Sequence, residues 1–76
     1  MQIDLIAWNI KYIVELMNDI ETVLIHNGTY NKLGTISEYN KDSLLIMLNT
    51  GEMVRIYDDD IIDYELTGNY ISIEII

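Results

Sequence analysis

The chain has 76 residues, half of them apolar, and sets 13 acidic side chains against four basic ones, for a net charge of −9. So acidic a surface repels phosphate backbones unless its few cations cluster, and here they are scattered, which argues against direct nucleic-acid binding and for a basic protein partner. The apolar half is too large for a disordered acidic tail, and the lack of cysteine removes disulfides and thiolate metal sites.

The first element is a helix by period. Ile3, Ile6, Ala7, Ile10, Ile13, Val14, Met17 and Ile20 recur at three- and four-residue steps. Asp4 stands where a cap or first-turn acid is expected. Leu5, Trp8, Tyr12 and Leu16 form a second apolar stripe on another flank, with Asp4, Lys11, Glu15 and Asn18 as a narrow polar strip. One stripe suffices to dock a helix on a small sheet. The second is either buried in the same monomer or turned to another chain.

From Glu21 onward the period is that of strands. Thr22 to His26 is a β-branched run closed by Asn27-Gly28, a two-residue hairpin signal. Tyr30 to Tyr39 is a second strand, and its Gly34 marks a bulge or sharp bend. Asn40-Lys41-Asp42 turns the chain into Ser43 to Leu48, a continuous apolar run expected to be central and buried. After Asn49-Thr50-Gly51-Glu52 comes Met53 to Tyr57, then Asp58-Asp59-Asp60 as one turn of 3₁₀ helix. Ile61 to Leu66 is the fifth strand, Thr67-Gly68-Asn69 a turn, and Tyr70 to Ile76 the sixth strand.

The expected fold is therefore α+β, an N-terminal amphipathic helix followed by a small five- to six-stranded antiparallel barrel. It forms a single domain, 1–76, with helix 1–20, barrel 21–66 and an additional C-terminal strand 67–76. A domain this small gains from a partner or from self-association. The last strand either extends the sheet or leaves a sticky edge, and Ile71, Ile73 and Ile75, with Leu5 and Leu16, are the expected oligomer interface. The longest apolar run, Leu44 to Leu48, is too short to cross a bilayer. There is no signal-peptide pattern, and a helix so poor in lysine suits no anionic membrane surface. A reducing cytoplasm is the expected location.

The densest polar cluster is Asp58, Asp59, Asp60, Asp63 and Glu65, five acids within eight residues. Carboxylates suit Ca²⁺ or Mg²⁺, but the spacing is not that of an EF-hand loop and no glycine stands at its turn, so no metal or other cofactor is expected. Two readings of the cluster stay open. It is either a patch that steers a basic protein surface or a solvated turn whose acids cap a short helical turn and blunt an edge. His26, the one histidine, has no serine or acid at useful sequence spacing and sits at a turn. No nucleophile motif or phosphate-cradling loop is present, so no enzyme is expected. The six tyrosines are mostly strand residues, fitted to half-buried faces.

Val23-x-Ile25-x-Asn27-Gly28, Gly34-x-Ile36-x-x-Tyr39-Asn40, Ser43-Leu44-Leu45-Ile46 and Val54 to Ile61 resemble, in order and spacing, a Sm-like or Hfq-like barrel. Ile56-Tyr57-Asp58-Asp59-Asp60-Ile61-Ile62-Asp63 is similar to the end of YolD-like domains, also small SH3-like barrels. The resemblance spans residues 1–66 and implies a barrel and a ring. It does not extend to RNA binding, because that family places a basic or histidine-containing turn where this chain has Asp58-Asp59-Asp60. In style, small acidic cysteine-free chains rich in Ile, Asn, Tyr and Asp also resemble phage-encoded inhibitors of host proteins, including anti-CRISPR and other anti-defence proteins. The expected function is a non-enzymatic binding protein that docks on a basic, nucleic-acid-handling host protein by mimicking nucleic-acid charge. Asp58, Asp59, Asp60, Asp63 and Glu65 would supply that charge, and Trp8 and Tyr12 would anchor the contact. The alternative is a Sm-like homo-oligomer that acts as a scaffold or sequesters a small ligand.

Overall fold

A computed structural model describes residues 8–17, 20–29 and 31–76. Its elements are α1 Trp8–Leu16, β1 Thr22–His26, β2 Asn31–Tyr39, β3 Ser43–Leu48, β4 Met53–Tyr57, a 3₁₀ turn Asp58–Asp60, β5 Ile61–Thr67 and β6 Tyr70–Ile75. The expected helix over Ile3 to Ile20 is seen from Trp8 to Leu16. Asp4, Leu5 and the rest of 1–7, and Asn18 and Asp19, lie outside the described residues. No described helix is long and apolar enough to cross a membrane.

The strands form one sheet in the order β4-β3-β2-β1-β6-β5. Four of its five pairings are antiparallel, but β1 and β6 run parallel, with Val23 beside Ile71 and His26 beside Glu74. This corrects the expectation of an all-antiparallel barrel. The sheet is mixed, and it is not closed, since β4 and β5 lie at its two ends. Gly68, at φ 60, opens a two-residue loop between the paired Thr67 and Tyr70, as a type II′ turn requires. That turn folds β6 back along β5, and β6 then fills the place beside β1. The sixth strand is thus interior rather than a bare edge, and Ile71 and Ile73 are fully buried. Neither can serve the oligomer interface expected of them. Ile75 is half-buried against the core.

The core is aliphatic. Ile10 and Ile13 of α1 pack with Val23, Ile25, Ile36, Leu44, Ile46, Leu48, Ile56, Ile61, Ile71 and Ile73. Alternation along each strand puts these residues on one face of a curled sheet. α1 lies against β5 and the 3₁₀ turn. Its first stripe is the buried one. Of the second, Leu16 packs at the core margin while Trp8 and Tyr12 stay exposed, so the two stripes have separate fates. Gly34 lets β2 lie tightly on β3, and irregular registers mark β2 between Ile36 and Glu38 and β5 between Ile61 and Asp63.

Candidate partner-binding surface

The acidic turn is tied to the helix. The Ile10 amide, in the first turn of α1, donates to the Asp58 carboxylate at 3.2 Å, and Asn9 Nδ2 donates to the Asp58 carbonyl at 3.4 Å. α1 has no acid of its own in that turn, so Asp58 supplies the negative charge that helix N-terminal amides favour. Asp60 caps the 3₁₀ turn by accepting the Tyr57 amide at 3.3 Å. Asp60 therefore caps the short helical turn, as one of the two readings of the cluster had it, while Asp58 serves the first turn of α1, which neither reading included. Replacing Asp58 with Ala is expected to cost about 1 kcal/mol, read as a lower Tm with loss of helical ellipticity. Asp58→Asn should recover most of it, and an unchanged Tm in the Ala variant would remove the cap from the account.

The other three acids point elsewhere. Asp59, Asp63 and Glu65 are exposed. Cross-strand pairing sets Asp63 opposite Glu74 and Glu65 opposite Ser72, so these side chains share the sheet's outer face. Two surface features result. The Asp58 amide donates to the Asp42 carbonyl at 2.9 Å, which brings the β2–β3 turn against the acidic turn. Asp42, Tyr57, Asp58 and Asp59 then line a depression of about 160 Å³. Trp8, which precedes Asn9 in α1, is 73% exposed, and its ring lies 5.6 Å from that of Tyr12. The helix that carries Trp8 and Tyr12 is thus joined to the acidic turn through Asn9 and Ile10. Asp42 and Tyr57 complete the depression; in the sequence Asp42 stands out only as flanking a turn, and Tyr57 as one of the strand tyrosines suited to packing and partner contact.

The second feature is a groove of about 100 Å³ lined by His26, Asp63, Tyr64, Glu65, Ser72 and Glu74. His26 Nε2 lies 2.9 Å from Ser72 Oγ. This partnership across β1 and β6 was invisible at a sequence separation of 46 residues. Hydrogen-bonding distance between a serine and a histidine is one part of a nucleophilic site; an oriented base and an oxyanion hole are the others. Among the described residues no group of three or more His, Cys, Asp or Glu is placed to hold a metal ion. A third cavity, about 300 Å³, opens at one end of the core between Ile25, Lys32, Leu48, Glu52 and Val54.

Tyr64 sits where α1 crosses β5. Burial pushes its pKa above the ordinary 10.0, and the negative charges of Tyr12, Asp63, Asp58 and Glu15 add to the shift. Folded protein thus holds this proton at a pH where unfolded chain has lost it. The stabilisation is complete below about pH 10 and fades as pH rises through the higher native value. Melting curves of wild type and Tyr64→Phe between pH 8 and pH 11 are expected to show the shallower alkaline decline in the variant. Parallel declines would rule out this origin.

Compared with known protein families, with curated proteins and with solved structures, the chain matches none.

Proposed function

We propose that this chain is a small acidic binding protein that docks on a basic protein surface. The observation that carries the reading is the junction of α1 with the acidic turn. There, hydrogen bonds from Asn9 and Ile10 tie the helix that carries the exposed Trp8–Tyr12 pair to Asp58, which with Asp42, Tyr57 and Asp59 lines a depression. A depression of about 160 Å³ suits one lysine or arginine side chain more than a drug-sized ligand. Exposed aromatics beside carboxylates supply what a basic partner needs, a stacking surface for guanidinium and acceptors for its donors. Asp63, Glu65 and Glu74 extend the negative field along the outer face of β5 and β6 and would steer the encounter. The partner class that fits best is a protein whose own ligand is nucleic acid, with these carboxylates taking the place of phosphates. Inhibition by that competition is the function proposed.

The test is capture on immobilised chain from host lysate, eluted with rising salt. A nucleic-acid-handling protein released by about 0.5 M salt, and lost with Trp8→Ala and Asp59→Lys, is the expected result. Binding that ignores both salt and these substitutions would reject the reading.

A further inference from the structure

Strand alternation places two charged side chains on the core side of the sheet. Lys32 stands two residues before Gly34 and four before the buried Ile36, and it pairs directly with the buried Ile25 of β1. Glu52 stands two residues before Val54 and four before the buried Ile56. Its carbonyl accepts the Leu48 amide at 2.8 Å, which continues the β3–β4 ladder by one step. The period of two therefore carries the core face outward as far as Lys32 and Glu52, where both side chains are exposed. These two line the cavity of about 300 Å³, and Ile25, Leu48 and Val54 form its apolar wall. Among the described residues the lining comes from β1 to β4 and Glu52, whereas α1 lies against β5 and the 3₁₀ turn.

An open space at that position is costly. A wall of Ile, Leu and Val with no atoms opposite it forfeits dispersion contacts, and a chain of 76 residues has little buried area to spare. The volume falls at the lower end of the range of small-molecule sites, about 300–1,000 Å³. The lining also has the make-up of such sites, an apolar wall with a few polar groups. Here those groups have opposite signs, and the signs select the guest. A purely apolar molecule would strip water from both charges without return. A simple anion would meet Glu52, and a simple cation would meet Lys32.

We infer that this cavity is a site for a small zwitterion with an apolar side chain, of the kind a free aliphatic or aromatic amino acid presents. The side chain fills the space between Ile25, Leu48 and Val54. The guest's carboxylate accepts from the Lys32 ammonium, and its ammonium donates to Glu52. An ammonium has three donors, so Lys32 can serve the guest beside any other partner it keeps. The site does not rest on the docking proposed above. It opens at the start of β4, and the acidic depression lies past the end of that strand.

Amide NMR spectra of isotope-labelled chain, titrated with leucine and with phenylalanine, test the inference. Saturable shifts of the Lys32, Leu48, Glu52 and Val54 amides are expected, with a Kd of about 1 mM or below. Isocaproate, which lacks the ammonium of leucine, and isoamylamine, which lacks its carboxylate, should each bind about tenfold more weakly or worse. Lys32→Gln should reduce leucine to the level of isoamylamine and leave isoamylamine unchanged, a pattern that a purely structural lysine would not produce. Val54→Phe, which fills the cavity from its own wall, should abolish binding while the cooperative melt is kept. Asp59→Lys, at the acidic turn, should leave binding as it is. No saturable shift with either amino acid, shifts confined to other residues, or leucine bound no better than its two fragments would each overturn the inference.

Discussion

Gly34→Ala is expected to lower the melting temperature by roughly 10 °C, an effect of about 2 kcal/mol in a domain of this size. The reason is contact rather than torsion. A methyl at Gly34 would lie 2.7 Å from the Met47 carbonyl oxygen, 2.9 Å from Ile46 Cγ2 and 3.1 Å from Leu48 Cα. Two of those atoms are backbone on the neighbouring strand, so β2 and β3 must move apart where the core residues Ile46 and Leu48 hold them together. A gain of up to about 1 kcal/mol from a stiffer unfolded chain opposes this and does not cancel it. Gly51→Ala is the control. It sits at φ 94 with nothing within 4 Å of the added methyl, so it should show only a backbone cost of about 1 kcal/mol. If the two variants melt together, the close approach of β2 to β3 is not what demands glycine.

The larger loss is expected from Ile73→Ala. Ile73 is fully buried, flanked by Ile25 on β1 and Tyr64 on β5. Removing three carbons from such a site costs about 2–5 kcal/mol. The whole domain commands only about 4–11 kcal/mol, so the variant should lose a large share of its stability and melt well below wild type. Ile76→Ala, at a residue 77% exposed, should change stability by less than about 0.5 kcal/mol. Concentration is the informative variable. A core role predicts the same deficit at any protein concentration, whereas an interface role for Ile73 predicts recovery as the chain is concentrated.

Much of the chain's local structure was legible because it is encoded locally. The bounds of β1, β3 and β4 follow from a β-branched run, a continuous apolar run and an alternating one, set between Asn, Gly and Asp turns, and the 3₁₀ turn at Asp58 to Asp60 was expected where it stands. What escaped depends on residues far apart in the chain. Nothing near Tyr70 to Ile75 states that this strand will lie parallel to β1, so it was expected to be an edge or a simple extension of an antiparallel barrel. The loop after β1 was expected to be a two-residue turn at Asn27-Gly28, but His26 pairs with Asn31 and the connection is longer. In the candidate site, the acids were legible as a group, but their division was not. Asp58 turns to a helix amide 48 residues away, Asp60 to its own turn, and Asp63 and Glu65 to a different face. Only the fold decides which member of an acidic run is left for a partner.

The parallel seat of β6 beside β1 also sets a timetable for the chain as it leaves the ribosome. β1 to β4 are consecutive hairpin neighbours and can pair as they emerge. The second side of β1 must wait for Ile71 to Glu74, which at about 5–20 residues per second is a delay of some seconds after β1 itself is made. During that interval Val23 and Ile25 line an open strand. The nascent segment is also close to neutral where its last strands stand, because Asp58 to Glu74 have not yet been added. Two thirds of the charge that makes the finished protein self-repelling in crowded solution, −6 of −9, arrives with residues 58–76, the stretch that completes the sheet.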